Sequence, residues 1–350
     1  MGYDGGQLHA AREKSVSVTS QDLREALDRV ASGRVAVIGD LMVDQYLDGD
    51  TLRISPEAPV PVVEVDEVHH QPGGAANVAR NVRVLGGDVS VVGLIGADPA
   101  GRDLGRLLRD QGVRATGLVE DATRPTTVKT RVRARGQQIV RVDRERADPA
   151  LPEYEDALIE AGLEAIERSD ALLLEDYDKG VLTARSIERL VAFARDAGKP
   201  VTVDPKFRNF FRYEGVTLFK PNLQEVEKSL GTELDGDDET FDAGAEMRRR
   251  LRCEAVLLTR GHRGMTLFDS DREAPFSLRP SAREVFDVSG AGDTVIATLT
   301  LAVAAGVSLR VATVLSSIAA GIEVGRMGVS AVETEEILAA IGEGERTWGV

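Results

Sequence analysis

The segment Asp287-Val-Ser-Gly-Ala-Gly-Asp-Thr294 ends a run of small residues on a carboxylate, directly ahead of an apolar stretch with helical spacing. Gly290, Ala291 and Gly292 carry almost no side-chain bulk where that helix begins. Its first amides can therefore approach an anion closely, and the helix dipole favours negative charge there. Asp293 falls in the first turn beside such an anion, a position suited to taking a proton from an attacking hydroxyl. The plainer role is stabilisation of a helix N-terminus, and GAGD taken alone weighs the two about evenly.

Other polar clusters also follow strand-like runs. Thr259, Gly261 and Gly264 form a glycine-rich turn between two such runs, and Asp204-Pro-Lys206 closes another. Asn222 and Glu225 stand three apart at a helix start, on one side of its first turn; the same spacing makes a capping box. Asp40 and Asp44 follow the first strand, and Pro72-Gly73-Gly74-Ala-Ala-Asn77 opens a helix. Gly73 and Gly74 permit close backbone approach and Asn77 can bond hydroxyls, although a tight turn with a cap would use the same residues. Polar groups gathered at the C-terminal ends of parallel strands are what a ligand crevice requires.

These residues need a scaffold, and the hydrophobic periodicity predicts one. Residues 1–20 read as a tail. Helical patterns cover 21–31, 75–85, 102–111, 153–167, 184–197, 243–251 and 291–305. Strand patterns cover 34–40, 89–95, 171–175, 201–204, 217–220, 255–259 and 264–268. This alternation predicts an α/β sandwich with a mostly parallel central sheet, as one domain over 21–340 followed by a tail over 341–350. Two stretches depart from it. Residues 45–72 and 124–144 alternate polar and apolar side chains, the second around Arg135-Gly136-Gln137, and predict a small β lid outside the main core.

Composition narrows the function. The chain has 350 residues, 42% of them hydrophobic, and a formal net charge of -15. That charge repels nucleic acid and anionic lipid, so neither is an expected partner. Cys253 is the only cysteine and no two of the four histidines form an HxxxH or HxGH pair, which argues against a disulfide framework or a histidine-built metal site. No uncharged apolar run reaches the ~18 residues of a membrane span, and the N-terminus lacks the apolar core of a secretory signal; a cytoplasmic protein is expected. The segment Val37–Val43 lacks GxGxxG, against a dinucleotide-binding oxidoreductase.

GGAAN near residue 75, PNLQE near 223, TRG near 260 and DVSGAGDT near 290 occur in this order, and with them the chain resembles the ribokinase/PfkB family of carbohydrate kinases from about Val35 to about Ser330. A narrower resemblance, through Ile54–Val62, Pro72–Ala79, Asp176–Gly180 and Asp204–Lys206, is to the kinase domain of bacterial ADP-heptose synthesis, which phosphorylates C1 of D-glycero-β-D-manno-heptose 7-phosphate. The resemblance implies a ribokinase-like three-layer α/β/α sandwich whose lid covers the sugar and joins a homodimer. It implies ATP and Mg²⁺ as cofactors and a sugar phosphate as substrate. Asp293 matches the catalytic base and Gly290, Ala291 and Gly292 the anion hole. Asn222 and Glu225 match the motif that organises Mg²⁺ through water, and Thr259, Gly261 and Gly264 the nucleotide-side turn. Asp40, Gly73, Gly74 and Asn77 match the sugar side, and Asp287 and Ser289 lie where many members bind a monovalent cation such as K⁺. A 7-phosphate needs distant positive charge. Arg53 and Arg141 are candidates, but with 36 arginines against 7 lysines, Lys179 and Lys206 in the matched motifs are the stronger ones. Asp178 departs from the heptose kinases, which commonly have a small residue there. Without an HxGH motif, and ending at Val350, the chain is expected to be monofunctional. The alternatives are a kinase of the same family for another sugar or sugar phosphate and a non-catalytic sugar-binding regulator of the same fold.

Overall fold

The computed structural model describes residues 17–269, 275–281, 285–326, 328–342 and 347–348. The first half of the chain contains β1 (Val18–Thr19), α1 (Ser20–Val30), β2 (Arg34–Gly39), β3 (Leu41–Ile54), β4 (Pro61–Gly74), α2 (Ala75–Val84) and β5 (Asp88–Gly96). It continues with α3 (Pro99–Asp110), β6 (Arg114–Asp121), β7 (Thr127–Ala134), β8 (Gln137–Arg144), α4 (Pro152–Glu167) and β9 (Ala171–Glu175). Then come α5 (Ala184–Asp196), β10 (Val201–Asp204), β11 (Leu218–Phe219), α6 (Leu223–Leu230), α7 (Asp237–Leu251) and β12 (Ala255–Thr259). The chain closes with β13 (Met265–Phe268), β14 (Phe276–Leu278), α8 (Ala291–Ala304), α9 (Leu309–Glu323), α10 (Thr334–Ile341) and β15 (Thr347–Trp348).

Nine strands make the central sheet in the order β14-β13-β12-β11-β10-β9-β2-β5-β6. It is parallel from β12 to β6, with β13 and β14 antiparallel at one edge. The central strands are apolar on both faces, Val35–Ile38 and Ala171–Leu174 being buried throughout, because helices cover both sides. One hydrophobic cluster packs α1, α2, α3, α8, α9 and α10 on one face. The other packs α4, α5, α6 and α7 on the opposite face. This is the expected α/β/α sandwich. Parallel pairing brings the ends of β2, β9, β10 and β11 to one edge of the sheet, and with them Asp40, Glu175, Asp204 and Lys220.

The lid is a separate four-stranded sheet, β4-β3-β7-β8. Its strands run longer than expected, from Leu41 and to Gly74, so it is rooted directly at β2 and α2. Ala134 pairs with Gln137, leaving Arg135 and Gly136 as a two-residue turn with φ of 51° and 77°. Two left-handed residues are the type I′ geometry that suits strand twist.

Some expected elements are corrected. The stretches read as tails contribute an antiparallel ladder, Val18–Thr19 against Thr347–Trp348. Strands β6 and β14 carried no strand signal, because Gly117 interrupts the pattern of β6 and β14 is only three residues long. The last two helices, α9 and α10, were also unread. Among the described residues no helix is long and apolar enough to cross a membrane.

Candidate active site

Asp293 lies in the first turn of α8, whose residues 293–302 are all buried. Gly290 caps the helix with φ 89° and no side-chain hydrogen bond; the Ala291 amide donates to the Val288 carbonyl (3.4 Å), which leaves the Gly292 and Asp293 amides for an outside acceptor. Asn77 donates to Asp293 Oδ2 (2.8 Å), and the Tyr177 hydroxyl donates to Oδ1 (2.8 Å). Burial pushes the Asp293 carboxyl up to about 6, against the pull of these two hydrogen bonds, while the Asp204 charge adds to the rise. The result is a carboxylate that can take a proton near neutrality.

Tyr177 is placed by Asp40. Asp40 is fully buried, and its carboxylate accepts the backbone amides of Tyr177 (2.8 Å), Lys179 (3.0 Å) and Val181 (3.1 Å). That geometry gives Asp40 a different part from the expected sugar-hydroxyl ligand: it pins the loop that carries Tyr177. Asp178 in this loop is left-handed, with φ 57°, and accepts from the Arg208 amide (3.3 Å). Aspartate tolerates that conformation, so the departure from a small residue is accommodated in the backbone, and Lys179 pairs with Glu145 (2.7 Å) instead.

Gly73 and Gly74 end β4 where close approach demands glycine: a Cβ at Gly73 would meet Asp44 Oδ2 at 2.4 Å, and Gly74 has φ 57°. Asn77 follows in the first turn of α2. Asp44, nearly buried beside Gly73, pairs with Arg131.

Beside Asp293, one oxygen each of Glu175, Asp204 and Asp293 lies within 4.8 Å of the others. Burial, then the Asp204 and Asp293 charges, hold Glu175 well above the usual carboxylate range, and its Oε2 has no hydrogen-bond partner. Lys220 Nζ is 2.7 Å from Asp204 Oδ2 and 3.6 Å from where a Cβ at Gly292 would stand. Burial lowers the Lys220 ammonium, but Asp204, Glu225 and Glu175 outweigh it and hold the group charged. Beside Gly290, burial pushes Glu323 up to about 8.

Asn222 and Glu225 form the capping box of α6: Asn222 Oδ1 accepts the Glu225 amide (2.9 Å) and Glu225 Oε2 accepts the Asn222 amide (2.9 Å). The other Glu225 oxygen pairs with Lys206. Both Glu225 oxygens are thus engaged within the protein, whereas Glu175, Asp204 and Asp293 form the carboxylate cluster that could hold a cation. Thr259 is bridged to Asn222, and Gly261 and Gly264 (φ 56° and 81°) shape the adjoining turn, so this group does come together. Asp287 gives its oxygens to the amides of Ser289 (2.9 Å) and Gly328 (3.3 Å). Arg141 pairs with Asp143 (3.0 Å) and Arg53 with Glu64 (3.3 Å), on the lid. Asp204 was read only as the close of a strand end and Tyr177 only as part of the Asp176–Gly180 motif, and neither they nor Glu175 and Lys220 were given a role from the sequence. Their one signal was position at strand ends.

The model of the pfkB family carbohydrate kinases matches residues 32–336. The chain belongs to the PfkB family of carbohydrate kinases. This kinase is 47% identical over 312 residues to the bifunctional protein HldE of Halorhodospira halophila, covering 89% of the chain and 64% of that protein. It is 43% identical over 318 residues to HldE of Proteus mirabilis, covering 90% and 65%. The chain thus spans somewhat under two thirds of the length of these curated relatives. Among solved structures, an Arabidopsis thaliana ribokinase complexed with ribose and ATP superposes with TM-score 0.72 at 21% identity, covering 89% of the chain and all of that one. Phosphofructokinase-2 of Escherichia coli with fructose-6-phosphate gives 0.71 at 19% identity, covering 89% and 98%. These two likenesses establish the ribokinase-like fold. As a PfkB kinase the protein uses ATP and a divalent metal. The buried, partnerless Glu175 oxygen beside Asp204 fits a cation at this place.

Proposed function

We propose that this kinase transfers the γ-phosphoryl group of ATP to the C1 hydroxyl of D-glycero-β-D-manno-heptose 7-phosphate, giving the 1,7-bisphosphate and ADP in the cytoplasm. The observation that carries the chemistry is Asp293, poised near neutrality between Asn77 and Tyr177 at the open N-terminus of α8. The likeness to HldE proteins, together with the heptose-kinase motifs in the sequence, supports the sugar.

Asp293 takes the proton of the sugar hydroxyl as its oxygen forms a bond to the γ-phosphorus and the bond to the β-phosphate oxygen breaks. The amides around Gly290, Ala291 and Gly292 receive the charge of the transferring group, and Lys220 lies alongside them. Fixed donors of this kind are worth roughly 2.7–4 kcal/mol each. Mg²⁺, when bound, would be held by Glu175 and Asp204, with Asn222 and Glu225 reached through water, and would neutralise phosphate charge. Thr259, Gly261 and Gly264 flank the nucleotide, and Gly73, Gly74 and Asn77 the sugar. K⁺ beside Asp287 and Ser289 remains part of the proposal, as does a homodimer formed through the lid.

The test is ADP release with Mg-ATP and a panel of heptose 7-phosphate, sedoheptulose 7-phosphate, fructose 6-phosphate and ribose. Turnover confined to the aldoheptose phosphate, with product phosphorylated at C1, is expected. Preference for another sugar would overturn the substrate. Asp293→Asn should keep the fold and ATP binding and lower kcat by roughly 10²–10⁴; near-normal turnover would remove Asp293 from the base role.

A further inference from the structure

The body-facing side of the lid is a ladder of matched charges with one member left over. On β7, Lys129, Arg131 and Arg133 alternate onto one face. Arg131 pairs with Asp44 and Arg133 with Asp48, and both guanidinium groups lie over the Tyr46 ring, at 5.3 and 4.7 Å. By register, Lys129 stands opposite Asp44 on β3 and Asp143 on β8. Both of those carboxylates are already engaged, Asp44 by Arg131 and Asp143 by Arg141. The other lysines around the site are matched as well: Lys179 with Glu145, Lys206 with Glu225 and Lys220 with Asp204. Among the described residues no carboxylate lies within ion-pair distance of the Lys129 ammonium.

That ammonium lies 5.6 Å from the centroid of the Tyr177 ring, and the Tyr177 hydroxyl donates to Asp293. A single side chain therefore separates Lys129 from the proposed base. Burial lowers the Lys129 pKa and the Lys179 charge lowers it further, while the Glu145, Asp44 and Asp143 carboxylates, each beyond ion-pair distance, raise it. Lys206 lies over the same ring, at 5.3 Å, but its charge is matched by Glu225, as that of Lys220 beside Gly292 is by Asp204. Lys129 comes from the lid strand on the sugar side.

We infer that Lys129 receives the distal, non-reacting phosphate of a sugar-phosphate substrate and makes the site selective for phosphorylated sugars. This rests on the proposed sugar-phosphate kinase reading and shifts the task from Lys179 and Lys206, whose charges are matched within the protein. A phosphate would supply the counter-charge that the ladder withholds from Lys129, and the adjacent Lys179 would reinforce it.

The experiment compares wild type, Lys129→Met and Lys129→Arg with heptose 7-phosphate and with the unphosphorylated heptose, using thermal melts as the control for folding. Lys129→Met should raise KM for the 7-phosphate by roughly 10–100-fold with kcat within a few-fold, and leave KM for the unphosphorylated sugar unchanged. Lys129→Arg should recover much of the loss. Inorganic phosphate should compete with the sugar phosphate in wild type and lose that competition in Lys129→Met. An unchanged KM, or an equal loss with both sugars, overturns the inference while leaving the kinase reading intact. Wild-type turnover restricted to unphosphorylated sugars overturns both. If wild type instead prefers another sugar phosphate, the heptose assignment falls, and the same selective KM rise with that substrate upholds Lys129.

Discussion

A carboxylate that must accept a proton in neutral solution has to be held above its ordinary range without becoming a permanent acid. Asp293 meets this through opposed influences: burial raises it to about 6, and the Asn77 and Tyr177 hydrogen bonds restrain the rise. Activity should therefore fall tenfold per pH unit below about pH 6 in kcat/KM, because protonation of Asp293 removes the base. Tyr177→Phe deletes a donor that favours the carboxylate, so the acid limb should move to higher pH, by up to about one unit. A pH–rate profile reads this directly, and a limb moving the other way would sink the assignment. Asp293 was legible because glycine spacing and a following helix fix its place. Tyr177 was not, since nothing local to its segment says that Asp40, 137 positions earlier, pins that loop.

The elements that hold these residues were legible to different degrees. Asn222 with Glu225 reads from sequence as either ligand pair or capping box, and the structure realises the box, with Glu225 shared with Lys206. The Arg135-Gly136 turn was legible because an alternating pattern on both sides leaves two residues to reverse the chain. The loop after β9 was not, because its order comes from a distant strand end. Three amides converge on the Asp40 carboxylate, and its removal strands all three in a dry site. Asp40→Ala should cost about 2–4 kcal/mol of stability. It should also depress kcat by releasing Tyr177, with Asp40→Asn milder on both counts. Denaturant melts and initial rates check this, and a stable variant with unchanged kcat would refute the staple.

At the scale of the whole molecule, β/α alternation told the sandwich, but strand order did not follow from it: β2 sits between β9 and β5 through long-range pairing that leaves no local trace. The lid was legible as a small sheet, yet only its register shows that its two faces differ. One carries the charge ladder. The other aligns Val68, Leu47, Val132 and Val140 in a row across all four strands, with Val142 beside it. Val68, Val140 and Val142 are each about half exposed, at 53%, 48% and 56%. A contiguous apolar row on one face of a thin sheet is a surface for self-association, and a two-fold pairing would place the same row on both copies. Sedimentation should therefore give twice the chain mass. Val140→Lys with Val142→Lys should give a monomer with an unchanged core melt and a higher KM for the sugar, because the lid would lose its support. A monomeric wild type, or a variant that stays dimeric, would remove the lid face from that role and leave the chemistry at Asp293 as it stands.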